Sequence, residues 1–445
     1  MTAGTTGTSG ASAELPELSE LSELSELSEL SELSELSELS EIPEFPFPGT
    51  SYRGPDPLFT RLRAERPVVR VRWTGGGHAW LITRHEDVRR VLDDTRFSRA
   101  ASYAPEAPTF QGLFQAPPGM IVSLDPPDHT RLRRLAEQAF SRTRIEGMRP
   151  RVREVAVRLL DALDKKAADG GPVDLVEGFA APLAMAVICE LLGVPEQDRD
   201  QFLVWVRQFA DVSGPEELAV EGREKLGAYI AGLVGGKMAA PADDVLSDLI
   251  AARDGEDRLS FEELVGLGYT LLGGGFDSAA GQISNFTLTL LAHHPEVWRR
   301  LGEHPEDVPR AVEELLRTVN LTGNDTSGMP RIATEDVTVA GVTIPAGDAV
   351  FLAFASANRD ASVFPDPETA DFGRADNPHL AFGHGIHHCL GAPLARVELA
   401  VALEELTARY PDARPAVPEP ELLWRVGDVN HNLVSLPVHL RRSTS

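Results

Sequence analysis

The chain has 445 residues, of which 42 are Lys or Arg and 68 are Asp or Glu, and its formal net charge is −26. This acidic balance excludes nucleic-acid binding as the default function, because a protein that binds a phosphate backbone needs a basic surface. Hydrophobic residues make up 42% of the chain, which supports a large core, and the two cysteines, Cys189 and Cys389, give no disulfide framework.

The first 45 residues have low sequence complexity. Residues 17–40 consist of eight Glu-Leu-Ser units. A three-residue period moves leucine steadily around an α-helix, so no fixed apolar face forms. We therefore predict an acidic, disordered tail over residues 1–45, for which partner binding stays open as a role, and a single domain over residues 46–445.

Signals for export or membrane insertion are lacking in the sequence. The N-terminus has neither the basic segment nor the apolar segment of a signal peptide, and no apolar run approaches the length of a membrane span. The sequence therefore predicts a soluble, cytoplasmic protein without a membrane anchor.

The first part of the folded region alternates between short helices and strands. The pattern predicts helices at residues 58–63 and 85–93 and paired strands at residues 68–73 and 78–83. Residues 99–120 contain proline, glycine and aromatic residues without a clear period. A long loop of this kind in a compact domain is often functional.

A basic helix is predicted to start at Asp125, where prolines and an acid mark a first turn. His129 and Arg133 are four residues apart and share one face of this helix, whereas Arg131 and Arg134 share another. Taken alone, such a helix is most simply interpreted as a solvated basic surface.

The longest helical pattern runs from Phe261 to His294, after a largely helical region over residues 150–260 in which Cys189 lies in an apolar run typical of a core. Three glycines interrupt the centre of the long helix, just before Asp277 and Ser278. Each glycine costs about 1 kcal/mol relative to alanine in a helix, which indicates close approach of another group or a local distortion. Either each of the two polar residues is satisfied locally, with Ser278 bonded to a backbone carbonyl and Asp277 facing a neighbouring helix or water, or they perform chemistry.

Two weaker signals follow the long helix. Glu314 and Arg317 are three residues apart and can pair, although most such pairs are surface features of small energy. Arg331 begins an alternating stretch with turns at Gly341 and Gly347, which predicts a hairpin.

Cys389 lies in a glycine-rich loop, Phe-Gly-His-Gly-Ile-His-His-Cys-Leu-Gly, which spans residues 382–391 and leads into a predicted helix. Unpaired N–H groups at a helix start favour the thiolate, and glycines let the backbone approach a ligand of the sulfur. Three interpretations are open: a buried structural cysteine, a zinc site that adds the histidines at 384, 387 and 388, and axial thiolate ligation of haem iron.

The loop resembles the haem-binding loop of the cytochrome P450 family, and the other motifs follow in the order of that family over about residues 46–440. The resemblance implies a mainly α fold with a minor β region, in which a triangular-prism helical domain holds haem between the long central helix and the helix after Cys389. It implies haem b as cofactor, with Cys389 as axial ligand of the iron. The remaining residues implied to bind the cofactor are His129, Arg133, Arg331, His387, Phe382, Gly383, Gly391, Gly274 and Gly275.

The resemblance also gives roles to the polar residues of the central helix and to the Glu314 pair. Asp277 and Ser278 match the acid and the hydroxyl residue that deliver protons in the family, although the family usually has threonine where this chain has Ser278. Ala279 stands where a second hydroxyl is frequent, which puts ordinary hydroxylation in doubt. Glu314 and Arg317 match a buried pair that binds an arginine in the segment before the cysteine, here Arg374.

The implied function is a monooxygenase that uses O2 and two externally supplied electrons to oxidise a small organic substrate, expected to be a secondary metabolite. The expected partner is a ferredoxin or similar donor, with Arg131 and Arg134 as docking charges, and the protein is expected to be a monomer. Oxidative coupling of aromatic groups and a non-catalytic haem protein are the alternatives. The substrate pocket is expected to involve residues 99–120, 210–218, 273–278, 321–324 and 430–433.

Overall fold

The structure, a computed structural model, describes residues 1, 42–74, 76–104, 107–108, 120–210, 216–322, 329–425 and 430–440. The chain divides into two units, Met1–Pro43 and Glu44–Ser445. Residues 2–41 lie outside the described residues, so the disordered tail over residues 1–45 stays a prediction. In the second unit, Phe45 is fully buried, so this unit begins slightly before the boundary that the sequence indicates.

Helices form most of the second unit, which confirms the mainly α fold class. The helices of the described residues are α1 (Leu58–Glu65), α2 (His85–Asp93), α3 (Asp128–Ala139), α4 (Arg142–Lys166), α5 (Ala181–Leu192), α6 (Arg199–Ala210), α7 (Glu216–Ala239), α8 (Val245–Ala251), α9 (Phe261–His293), α10 (Pro295–Glu303), α11 (Val308–Thr318), α12 (Phe354–Ala357) and α13 (Ala392–Arg409).

The minor β region consists of three small sheets within the described residues. The largest has the strand order β1-β2-β3-β9-β6-β4, and the others have the orders β10-β11-β5 and β7-β8. The strands are β1 (Glu44–Phe45), β2 (Val68–Trp73), β3 (His78–Ile82), β4 (Phe97–Ser98), β5 (Val173–Asp174), β6 (Arg331–Ala333), β7 (Val337–Val339), β8 (Val342–Ile344), β9 (Ala349–Leu352), β10 (Arg414–Pro415) and β11 (Pro437–His439).

The paired strands and the hairpin predicted from the sequence are confirmed. Strands β2 and β3 are antiparallel, with Val69 opposite Leu81. Strands β7 and β8 pair across a turn at Ala340 and Gly341, which both have positive φ angles of 46° and 81°. Two successive positive φ angles give the tight turn that matches strand twist.

The long helix α9 begins at a capping box, in which the Ser260 side chain accepts from the Glu263 N–H and the Glu263 carboxylate accepts from the Ser260 N–H. The helix is continuous through all its central glycines. It contacts α5, α7 and α13 and is therefore the central helix of the second unit. A Cβ on Gly275 would lie 2.4 Å from Cδ1 of Ile188 in α5. Close approach, rather than a distortion, therefore explains that glycine.

Cys189 is fully buried in α5, as its apolar surroundings predict. Among the described residues, no helix is sufficiently long and apolar to span a bilayer.

Glu398 is a buried carboxyl group on α13. Its side chain is 3% exposed, and Oε1 has no hydrogen-bond partner among the described residues. Burial raises the pKa of Glu398 from 4.5 to about 8. The folded protein therefore binds a proton at Glu398 that the unfolded chain has released above pH 4.5, and this difference favours unfolding as the pH rises from 4.5 to 8.

We expect Glu398→Gln to increase stability at pH 7 by up to about 3 kcal/mol, because the variant no longer has to hold a proton on a buried acid. At pH 4, where both folded and unfolded wild-type chains carry the proton, the gain should vanish. Denaturant unfolding at both pH values measures the effect, with Glu224→Gln on the exposed face of α7 as control. An equal effect of Glu398→Gln at pH 4 and pH 7 would contradict it.

Candidate active site

The loop before α13 carries Cys389 and is fixed by a backbone hydrogen bond and by glycines. The Cys389 N–H donates to the Phe382 carbonyl at 2.9 Å, and the loop ends at Gly391, directly before the helix. Gly385 has a φ of +68°, and a Cβ there would lie 2.7 Å from the Leu92 carbonyl oxygen, so the turn requires glycine. Gly383 has a similar φ of +70°, which also favours glycine, but open space where a Cβ would stand.

The Cys389 side chain has accessible surface, yet burial raises the pKa of its thiol. The N–H groups of Gly391 and Ala392, together with Arg133 and Arg396, lower the pKa but do not compensate for burial. The N–H groups at the helix start thus favour the thiolate, as the sequence predicts, but burial has the larger effect on the pKa of Cys389.

A buried ion-pair network supports the loop from the side of α11. Arg317 donates to both oxygens of Glu314, at 3.0 and 2.7 Å, and Arg374 donates to Glu314 Oε2 at 3.2 Å. The Glu314 and Arg317 side chains are fully buried. Glu314 also accepts from the Asp371 N–H and from Asn377. This geometry confirms the trio that the family resemblance implies.

A second ion pair, which the sequence analysis missed, is formed by Glu313, the residue before Glu314, and also holds the loop. Arg396 on α13 donates to both oxygens of Glu313, at 2.7 and 3.0 Å, and its guanidinium lies 4.5 Å from the centre of the Phe382 ring. Burial raises the pKa of Glu313, but hydrogen bonds from His379 and Arg396 outweigh it and lower the pKa to about 2. Glu313 therefore stays ionised and fixes Phe382 through Arg396.

Several cationic or potentially cationic side chains converge beside the loop. The rings of His129 and His387 have centroids 4.2 Å apart, and His129 Nδ1 and His387 Nε2 have no partner among the described residues. Arg331 is 5% exposed and Arg99 is 3% exposed. Burial, followed by the charges of Arg331, His129, Arg99 and Arg133, lowers the pKa of His387 to about 2. Burial likewise lowers the pKa of Arg331 to about 10.

This cluster fits the carboxylates of an anionic cofactor. Among the described residues, Asp125 is the acid that offsets Arg331, and it already accepts from the Ser98 hydroxyl and the Arg99 N–H. Burying two guanidinium groups with so little negative charge is costly unless an anion joins them. The unpartnered His129 and His387 nitrogens are available as hydrogen-bond donors to such an anion.

Arg133 lies at the edge of the cluster and contacts the loop. It donates to the Glu137 carboxylate and to the His388 carbonyl, each at 2.6 Å. The structure thus brings Arg133 together with the cysteine loop, while its contact with a cofactor stays a prediction. Arg99 was missed, because the sequence analysis assigned it only to a long loop without period.

The remaining residues that the sequence assigns to the site lie in α9. Ser278 Oγ donates to the Gly274 carbonyl at 2.5 Å. Ser278 is thus bonded to a backbone carbonyl, as the local interpretation of the sequence predicted, whereas Asp277 faces the C-terminal segment and not a neighbouring helix or water alone. Its Oδ2 accepts from Asn430 at 2.9 Å and from Asn432 at 2.6 Å. A Cβ on Gly274 would meet nothing within 4 Å, which leaves clearance for a ligand.

The predicted docking charges on α3 are paired with acids of the same chain. Arg131 binds Asp257 at 2.8 Å and Glu263 at 2.5 Å, and Arg134 binds Asp254. These pairs fasten α3 to the segment before α9 and to the first turn of α9, and they balance the charge of both arginines. Arginines that already pair within the chain attract an acidic partner less strongly. Their role in docking an electron donor stays a prediction.

The zinc interpretation gains no support. In the part of the chain that the structure describes, no three His, Cys, Asp or Glu side chains converge in a way that could hold a metal ion.

Comparisons with known proteins agree with this geometry. The family model of cytochrome P450 matches residues 53–213 and 236–411. The mycinamicin IV hydroxylase/epoxidase of Micromonospora griseorubida is 46% identical over 85% of this chain and 94% of its own length. The nocardicin C N-oxygenase of Nocardia uniformis subsp. tsuyamanensis is 45% identical over 86% of this chain and 94% of its own length. A solved structure of a mutant of the mixed-function P450 MycG in complex with mycinamicin IV matches with a TM-score of 0.83 and 44% identity, over 89% of this chain and 100% of that chain.

The chain belongs to the cytochrome P450 family. It is a haem-thiolate monooxygenase, an oxidoreductase like the hydroxylases, epoxidases and oxygenases to which it is similar. When bound, the haem supplies the activation of O2, and an axial cysteine thiolate favours O–O cleavage. The protein supplies ligation, orientation and a shaped pocket.

Much of the substrate pocket expected from the sequence lies outside the described residues, including residues 109–119, 211–215 and 323–324. Among the described parts, Asp277 of α9 and residues 321–322 both contact residues 430–433.

Proposed function

We propose that this chain inserts oxygen into a macrolide or a secondary metabolite of comparable size, by hydroxylation or epoxidation. Support comes from the agreement of two comparisons: the mycinamicin IV hydroxylase/epoxidase and the MycG structure with mycinamicin IV are each similar to this chain over most of both lengths. The nocardicin C N-oxygenase has nearly the same identity, so nocardicin C is the alternative substrate class to include in a test.

We assign the cofactor contacts as follows. The cofactor is haem b, with Cys389 as axial ligand and with Phe382, Gly383 and Gly391 beside the sulfur. His129, Arg331, His387 and Arg133 bind its carboxylates, and Gly274 and Gly275 leave room on the opposite side. The buried, poorly balanced charge of Arg331 and Arg99 is the observation that supports the carboxylate contacts most directly.

We assign proton delivery to Asp277 and Ser278. The Ser278 hydroxyl bonds to the Gly274 carbonyl of the preceding turn, so it is oriented without the methyl group of threonine. An oriented hydroxyl beside an acid can accept a proton from it and pass one on. O–O cleavage consumes two protons whether oxygen is then inserted or two aromatic groups are coupled, so this pair supports turnover by either route, and the preference for oxygen insertion rests on the relatives.

The proposal includes a monomer that receives electrons from a separate ferredoxin or similar donor and acts in the cytoplasm. The family resemblance is its basis.

The substrate proposal is tested by titrating the purified haem protein with mycinamicin IV, with nocardicin C and with a small phenol. We expect mycinamicin IV to shift the Soret band toward the high-spin form at micromolar concentration and to yield an oxygenated product with a ferredoxin and its reductase. A Soret shift with nocardicin C but not with mycinamicin IV would contradict the macrolide proposal and favour nocardicin C as the substrate class. Coupled phenol dimers as the sole product would favour the coupling alternative.

We expect Arg331→Met to release haem roughly 10–100-fold faster, since a charge-assisted hydrogen bond contributes about 1.5–3 kcal/mol. Transfer of haem to apomyoglobin measures the rate. The matched control is Arg300→Met, whose side chain is 68% exposed on α10. Equal haem release by both variants would remove Arg331 from the cofactor contacts.

A further inference from the structure

Three residues of α9 form one stripe. Asp277, Gly281 and Asn285 are spaced by four, so they share a face of the helix. The segment Asn430–Asn432 lies along this face. Asn430 and Asn432 each donate to Asp277 Oδ2, and Asn285 donates to the His431 carbonyl at 2.8 Å. The C-terminal segment is thus bonded to the helix at both ends of the stripe.

The segment is held in place independently of Asp277. The His431 N–H donates to the Leu321 carbonyl at 2.6 Å, and the Arg425 N–H donates to the Asn432 carbonyl at 2.8 Å. Asn432 is 4% exposed. The two amides therefore form a fixed template, to which the Asp277 side chain adapts.

Gly281 makes the approach of Asn432 possible. A Cβ at this position would lie 2.1 Å from Asn432 Oδ1 and 3.3 Å from its Cγ. Any other residue would push the amide away from the helix and from Asp277. A glycine inside a helix costs about 1 kcal/mol of helix stability relative to alanine. At Gly281 the close contact with Asn432 explains why glycine is present despite this cost.

We propose that Asn430 and Asn432 are positioning residues for Asp277, and that Gly281 provides the space for this arrangement. The inference rests on the proton-delivery role proposed above. Two N–H donors hold the carboxylate by Oδ2, so Oδ1 is the oxygen that exchanges protons. It gives a proton toward Ser278 and regains one from water. Arg425 lies 3.7 Å from Oδ1 and adds a positive charge on that side.

The test compares Asn432→Leu and Gly281→Ala with the control Gly266→Ala. Gly266 lies in the same helix, and a Cβ there meets nothing within 4 Å. NADPH oxidation is measured through a plant-type ferredoxin and its reductase, without substrate and with mycinamicin IV, in H2O and in D2O. We expect both test variants to keep the wild-type CO spectrum, to turn over about tenfold more slowly and to show a larger solvent isotope effect, because a misplaced acid limits proton delivery. The control should behave as wild type.

The double variant, Asn432→Leu with Gly281→Ala, should be no slower than either single variant. The reason is that both substitutions remove the same contact, the one between Asn432 and Asp277. Wild-type rates and isotope effects in Asn432→Leu would overturn the positioning role, and this variant decides the question even if Gly281→Ala does not fold. Asp277→Asn separates the two proposals. If Asp277→Asn is slow while Asn432→Leu is not, only the positioning role fails; if Asp277→Asn also turns over as wild type, the proton-delivery role fails with it.

Discussion

The Glu314→Gln variant is expected to lose about 3–5 kcal/mol of folding stability and to be isolated with little or no haem, because removing one member of a buried ion network leaves the others uncompensated. Glu314 accepts from Arg317, Arg374, Asn377 and the Asp371 N–H, and glutamine keeps its size while removing the charge that balances two arginines. Thermal unfolding and the haem-to-protein absorbance ratio measure both effects.

The control for Glu314→Gln is Glu405→Gln, whose partner Arg153 is 46% exposed. An exposed pair contributes about 0–1 kcal/mol, so this variant should retain its haem and nearly all its stability. Similar behaviour of the two variants would show that the buried network does not support the loop.

The Cys389→Ala variant is expected to lose the thiolate spectrum and at least about a thousandfold in turnover, which corresponds to roughly 4 kcal/mol in activation free energy. The physical reason is that no other side chain of the loop supplies a thiolate to favour O–O cleavage. Cys189→Ala is the matched control, since Cys189 is fully buried in α5 and its pKa is raised by burial to about 12. Its spectrum should match that of the wild type. Equal spectra for both cysteine variants would contradict the ligand assignment.

The sequence predicts best what is encoded locally. The cysteine loop, the Glu314–Arg317 spacing and the helical period of α9 are all short-range patterns, and the structure confirms their elements. The family resemblance then supplies Arg374 as the third member of the trio, a partner that spacing alone could not have identified.

What the sequence could not predict depends on residues far apart along the chain. Asn430 and Asn432 reach Asp277 across about 150 positions, and no local pattern marks them. The signal that could have found them is Gly281, a further glycine in α9 whose close neighbour is Asn432. The pKa of Cys389 depends on both kinds of feature: the helix start, which lowers it, is visible in the sequence, whereas burial, the larger effect, depends on the packed fold.

The absorption spectrum of the purified protein, reduced and exposed to carbon monoxide, tests the central claim most directly. Haem held by the Cys389 thiolate predicts the long-wavelength Soret band typical of thiolate ligation. A coloured protein without that band would mean a different or protonated axial ligand, and protein that binds no haem although haem is supplied during expression would contradict the account as a whole.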